Sequence, residues 1–269
     1  MSDPLVVVDG NGQQRALVAA SALGCGACKD GLEQPFPFSM AFQPIVNVST
    51  GKIFAYEALV RGSGTDTTAA VMSKVTPENL YAFDQTCRVK AITLAAQLGL
   101  AETGALLSIN FIPGAVYSPV ACLGLTLETA DKVGFPADQL MFEVTEGEKV
   151  HDIPHLQGIV NEYRRRGFKV ALDDLGAAFS GLGLLADLPV DIVKLDMALT
   201  HHLEERPVAR VIVRSMVTLS EALGIQLIVE CVEQVDSYRV LRELGVSLMQ
   251  GYLFARPGYE MLPEFTLPA

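Results

Sequence analysis

From Met40 onward, short runs rich in Val, Ile, Leu and Phe recur along the chain, at 40–48, 53–60, 106–111, 140–145, 168–173, 191–195, 225–230 and 248–254. Runs of this length, bounded by turn-forming residues, predict buried strands. Between them Pro77 to Leu98, Pro154 to Arg166, Arg206 to Leu223 and Val235 to Leu244 carry apolar residues at helical spacing. Gly99, Gly167, Gly224 and Gly245 stand just past the last apolar turns, where a left-handed residue ends a helix. Alternating strands and helices predict parallel βαβ units, and eight strands suit a barrel. The first two runs are an exception. Only Ser49, Thr50, Gly51 and Lys52 separate them, enough for a hairpin and too few for a crossover, so one of the two runs antiparallel. The expected fold is α/β, a TIM-like (β/α)8 barrel with one antiparallel strand.

Residues 1–38 lack this order and end in Pro35-Phe-Pro-Phe-Ser39, which reads as an N-terminal extension ahead of a barrel domain at 39–269. The extension holds Cys25 and Cys28 at C-x-x-C spacing, with no second pair nearby to complete four zinc ligands. Two readings stay open there, a loop with two thiols and a small redox or metal element. The charge-free stretch Thr103 to Leu127 is long enough to span a bilayer, but Asn110, Pro113, Gly114, Ser118 and Pro119 interrupt it and predict a strand, a turn and a loop.

Composition narrows the picture. Half of the 269 residues are hydrophobic, 7% are aromatic and none is Trp, so a large aliphatic core is available. The five cysteines and the lack of an export signal suit free thiols and a cytoplasmic setting, with no membrane partner. A net charge of −11 and a lone basic run at Arg164-Arg165-Arg166 argue against polymeric DNA or RNA as partner. A small anion neutralised by metal ions remains compatible, because bound cations dominate the local field.

The chemistry lies at the C-terminal ends of the apolar runs, where a rigid sheet can hold a side chain at the barrel mouth. Glu57 reads as a metal ligand and Arg61 as a clamp for a phosphate oxygen, or the two form a strand-end ion pair. Ser108-Ile109-Asn110-Phe111 and Phe142-Glu143-Val144-Thr145-Glu146 add a neutral oxygen donor and two acids. Asp173-Asp174 places adjacent like charges at the end of a buried strand, which demands compensation that divalent cations would supply. Lys194, within Asp191-Ile-Val-Lys-Leu-Asp196, needs an anionic neighbour and could orient a metal-bound water. Glu230 and Gln250 complete the ring. Enolase-type barrels arrange acids and a Lys similarly, yet Gln43, Arg61 and the paired aspartates suit a phosphodiester better.

Together Gln43-Pro44-Ile45-Val46, Glu57-Ala58-Leu59-Val60-Arg61, Asn110, Glu143-Val-Thr-Glu146, Asp173-Asp174, Lys194-Leu-Asp196, Glu230-Cys-Val-Glu233 and Gln250-Gly-Tyr-Leu-Phe254 resemble the ordered motif series of EAL-domain cyclic-di-GMP phosphodiesterases, from about Phe38 to Pro257. The resemblance implies an EAL-type barrel, a homodimer, and hydrolysis of cyclic di-GMP to linear pGpG with two Mg²⁺ or Mn²⁺ per site. It implies Glu57, Asn110, Glu143, Asp173, Asp174 and Glu230 as metal ligands, with Asp174 shared with the second metal. Lys194 and Glu230 would hold or deprotonate the attacking water, with Glu57 and Asp174 counted in the catalytic set. Gln43, Leu59, Arg61 and Asp196 would contact the nucleotide, Gln250 would bind a metal-linked water beside it, and Glu146 would brace the loop after the paired aspartates. That loop departs from the family pattern, Asp-Asp-Phe-Gly-Thr-Gly or Asp-Asp-Phe-Gly-Ala-Gly, by reading Asp173-Asp174-Leu175-Gly176-Ala177-Ala178. Losing a glycine where φ is positive costs on the order of 1–2 kcal/mol. The alternative function is therefore a catalytically weak EAL-type receptor that holds cyclic di-GMP and signals through a separate partner.

Overall fold

A computed structural model describes residues 6–8, 14–16, 34–62, 67–145, 152–177 and 181–268. Two short strands, β1 (Val6–Val8) and β2 (Gln14–Ala16), form an antiparallel pair ahead of the main sheet in the chain. Cys25, Cys28, Glu146 and Ala178 lie outside the described residues.

The main sheet closes on itself. Strands β3 (Ser39–Asn47), β4 (Lys52–Arg61), β5 (Leu106–Asn110), β6 (Leu140–Thr145), β7 (Lys169–Leu175), β8 (Ile192–Leu195), β9 (Gln226–Val229) and β10 (Leu248–Met249) follow one another around the barrel, and β10 pairs back onto β3. All neighbours are parallel except β3, which is antiparallel to both β4 and β10. The reversed strand is thus the first of the hairpin pair. Asn47 closes that hairpin by accepting from Ser49 N and Thr50 N at 3.1 and 3.0 Å.

The connecting helices pack against the outside of the barrel. The main ones are α2 (Leu80–Gln97), α6 (Ile153–Arg165), α9 (Pro207–Leu223) and α10 (Val235–Glu243), with the short α1 (Thr68–Met72) and α3 (Leu100–Thr103) flanking α2. Gly99, Gly167, Gly224 and Gly245 have φ of 76°, 89°, 67° and 94°, the left-handed caps expected of them. The stretch 103–127 departs from its reading. Beyond β5 it forms α4 (Pro119–Cys122) and enters α5 (Gly124–Val133), because Ser118 accepts from Ala121 N and Pro119 sits at the first helical position, where a missing N–H costs nothing. Two further short α-helices are α7 (Gly181–Asp187) and α8 (Met197–Thr200). Among the described residues no helix is long and apolar enough to cross a membrane.

No helix connects β3 to β4, and the C-terminal segment lies against this part of the wall. Strand β11 (Gly258–Tyr259) pairs with β3, Glu260 N donates to Met40 O at 2.9 Å, and Tyr56 OH donates to Pro263 O at 2.9 Å.

Inside the barrel the two-residue period of the strands sorts chemistry into layers. Ile45, Ala55, Met141, Ala171, Ile192, Ile228 and Leu248, with Leu106 packed on them, form an apolar plug. Two residues nearer the mouth on each strand stand Gln43, Glu57, Ser108, Glu143, Asp173, Lys194, Glu230 and Gln250. The plug gives this polar layer a dry, rigid floor.

Candidate active site

Lys194 is the hub of the polar layer. Its ammonium, fully buried, lies 2.6 Å from Glu230 Oε1, 2.7 Å from Glu143 Oε2, 3.1 Å from Asp173 Oδ1 and 3.6 Å from Glu57 Oε2. Neutral groups take up much of what remains. Glu57 accepts from Asn110 Nδ2 at 3.0 Å and from Gln250 Nε2 at 2.9 Å, and Glu143 Oε1 accepts from Ser108 Oγ at 2.5 Å. Gln43, opposite Glu57 across the hairpin, donates to Ala255 O at 3.2 Å and accepts from Gln250 at 3.5 Å.

Two backbone devices aim the acids. Adjacent residues of a regular strand face opposite ways, yet carboxylate oxygens of Asp173, Asp174 and Glu230 all come within 4.8 Å of one another. The pairing of β7 with β8 shifts register between Leu172 and Leu175, and Asp174 takes φ of 58°, so a bulge turns both aspartates toward one site. Asp tolerates the left-handed region better than most residues. At Gly251 the second device is close approach, since a Cβ there would meet Val232 O at 2.0 Å. The backbone pair Val232 N to Gln250 O at 2.9 Å, which seats Gln250, depends on that glycine.

Five carboxylates, Glu57, Glu143, Asp173, Asp174 and Glu230, face one ammonium, so full ionisation would leave four uncompensated negative charges. The titration of Glu143, Glu230 and Asp174 reflects the imbalance. Burial drives Glu143 well above the carboxylate range and Glu230 up to about 8, against the pull of Lys194. Asp174 rises to about 6, first through burial and then through Asp173 and Asp196. Glu57 moves the other way: burial works against its charge, but Lys194, Gln250 and Asn110 outweigh it. Burial likewise opposes the charge of Lys194, and its carboxylate neighbours hold the pKa well above the usual lysine value. Two sets of three oxygens, from Glu57, Glu143 and Asp173 and from Asp173, Asp174 and Glu230, lie within 4.8 Å and share Asp173. Hard oxygen donors in negative excess are the set that Mg²⁺, Mn²⁺ or Ca²⁺ require, and the residues fit such ions.

The outer residues take varied places. Leu59 and Arg61 continue the face of Glu57 toward the mouth, and Arg61 Nη1 donates to Val60 O at 2.8 Å and to Thr68 Oγ1 at 2.6 Å. Asp196 follows β8 and caps α8 by accepting from Ala198 N at 2.8 Å, close enough to Asp174 to raise its pKa. Ser108 and Thr68 are absent from the roles that sequence reasoning assigned. Strand periodicity alone could have placed Ser108 in the polar layer; for Thr68, seven residues beyond Arg61, no signal existed.

Comparison with known proteins agrees with this geometry. The EAL-domain family model matches residues 31–257, and the chain belongs to that family. A standalone EAL protein from Vibrio cholerae O395, solved in a c-di-GMP-bound form, is 47% identical with a TM-score of 0.83, over 87% of this chain and 98% of that one. Klebsiella pneumoniae BlrP1, solved as a manganese/cy-diGMP complex, is 31% identical with a TM-score of 0.80, over 87% of this chain and 59% of that one. Among curated proteins, the cyclic di-GMP phosphodiesterase PA2567 of Pseudomonas aeruginosa is 27% identical over 94% of this chain and 42% of its own length. The blue light- and temperature-regulated antirepressor BluF of Escherichia coli is 25% identical over 85% of this chain and 56% of its own length. The chain thus spans about half the length of these curated relatives.

Proposed function

We propose that this EAL-domain protein is a cyclic-di-GMP phosphodiesterase that opens one phosphodiester of the ring to give linear pGpG, with two divalent cations, Mg²⁺ or Mn²⁺, per site. The observation that carries the reading is the charge imbalance around Lys194: a nest of five acids, three buried and two half-buried, makes physical sense as a seat for cations. Glu57, Asn110, Glu143, Asp173, Asp174 and Glu230 would hold them. When bound, the cations lower the pKa of the attacking water and neutralise charge developing on the phosphorus.

The chain's own groups do the rest. Lys194 and Glu230, 2.6 Å apart, orient the attacking water, and Glu230 accepts its proton. Arg61, Gln43, Leu59 and Asp196 line the approach, with the Arg61 guanidinium on a phosphate oxygen and Gln43 fixed by Ala255 and Gln250. Glu146 braces the loop that follows the paired aspartates. A homodimer and a cytoplasmic setting belong to the same proposal.

A second reading, a receptor that binds cyclic di-GMP and acts through a partner, is favoured by Ala178, where the family pattern carries Gly, and by the likeness to an antirepressor. Separating the nucleotides after incubation with cyclic di-GMP and Mg²⁺ or Mn²⁺, beside a Glu57→Ala control, decides between them. Linear pGpG from the unmodified protein alone supports the enzyme. Intact but bound nucleotide supports the receptor, and absence of both defeats the proposal.

A further inference from the structure

The polar layer has one place on each of eight strands, and Ser108 is the member that neither the strand-end chemistry nor the family motifs assign. It is fully buried, on β5 directly above the plug residue Leu106. A buried serine on a strand commonly satisfies its hydroxyl on a nearby backbone carbonyl. Here the hydroxyl donates instead to Glu143 Oε1 at 2.5 Å, a charge-assisted contact when the acid is ionised. The other oxygen of the same carboxylate takes the ammonium of Lys194 at 2.7 Å.

These two donors come from different strands and grip different oxygens, so they set the plane of the Glu143 carboxylate. Lys194 by itself would not, because it grips one oxygen only and is shared with Glu57, Asp173 and Glu230. With Oε1 tied to β5, Oε2 stays on the side of Lys194 where Glu57 Oε2 and Asp173 Oδ1 converge. We propose that Ser108 is a positioning residue of the metal centre, holding Glu143 so that a single oxygen, Oε2, is presented to the cation. The inference rests on the metal-dependent reading above. It places Ser108 among the supporting groups whose loss costs about 10–100-fold in metal affinity.

The test is calorimetric titration of the purified, nucleotide-free protein with Mn²⁺, for the unmodified chain, Ser108→Ala and Ser108→Thr, together with thermal unfolding of each in chelator. Ser108→Ala should bind Mn²⁺ about 10–100-fold more weakly. Ser108→Thr, which keeps the hydroxyl, should restore most of the affinity. A structural hydroxyl would move only the unfolding temperature, so an Ala variant that binds Mn²⁺ as the unmodified chain does overturns the inference while the metal reading stands. If the unmodified chain itself takes up no Mn²⁺, that reading fails and the inference falls with it. Should Ser108→Ala not fold, Ser108→Cys, close in size and a weak donor, carries the comparison: weakened binding supports the role and unchanged binding refutes it.

Discussion

Two clusters of buried charge sit on opposite sides of the same barrel wall, and they differ in one respect that matters. Outside, Arg88 and Asp84 of α2 form an ion pair at 2.7 Å; Arg88 also donates to Tyr163 OH at 2.6 Å, and Asp84 accepts from Ile112 N at 3.0 Å. The rings of Phe111, Phe142 and Tyr163 lie 5.4–5.8 Å from the guanidinium. One positive charge meets one negative charge there, so the pair balances without an added ion. Inside, one ammonium meets four carboxylates, and a fifth, Asp174, stands beside them. A balanced buried pair is a structural tie between helix and barrel; an unbalanced cluster is one that cations could neutralise.

Substitutions separate the two most sharply. Glu230→Gln should lower turnover by about 10²–10⁴-fold while leaving the metal-free fold as stable or more so, because it removes one of several repelling acids. Arg88→Ala should do the reverse, costing about 3–5 kcal/mol of stability by stranding Asp84, with turnover per folded molecule retained. Denaturant melts and nucleotide assays on both variants check this. Equal stability losses in the two would erase the distinction.

The acidity of the medium gives a second contrast. Glu143 and Glu230 have folded-state pKa values raised above their unfolded ones, so the native state holds protons that the unfolded chain releases. Stability of the chelator-treated protein should therefore fall as pH rises from about 4.5 towards 8. Glu57, shifted downward, acts below that window. Adding Mn²⁺ should cancel the decline, since the cation replaces the protons and binds more tightly as they leave. Unfolding temperatures at pH 5 and pH 8, with and without metal, measure it, and a chelated protein that is more stable at pH 8 would contradict the account.

The smallest effect concerns the mouth. Thr68→Val removes the 2.6 Å hydrogen bond that holds Arg61, and should raise KM for the nucleotide about three- to tenfold, the worth of one ordinary hydrogen bond, with kcat little changed. A change confined to kcat would place Arg61 with the acids instead of with the substrate approach.

Much of this was legible in the amino-acid order. The eight apolar runs mark the eight strands within a few residues at most ends, and the four-residue link after Val48 forces a reversed strand. Strand ends and motif series together named seven of the eight polar-layer residues. They are legible because a strand's period of two and a hairpin's length are local properties of the chain. Other features were not. No role attached to Asp84 and Arg88, four residues apart on a helical stretch, or to Ser108 between Leu107 and Ile109. Nothing in Asp173-Asp174 announces that a bulge and a φ of 58° bring both to one side.

The division follows from what each quantity depends on. Element type, strand facing and the reversed first strand are decided over a few neighbouring residues, so the order of residues alone determines them. Which acids share Lys194, how far each pKa moves and whether a buried charge is balanced depend on groups up to 193 positions apart, as with Gln250 and Glu57. Only closing the barrel removes those groups from water and sets them against one another, and the energy of a charge is decided by that surrounding.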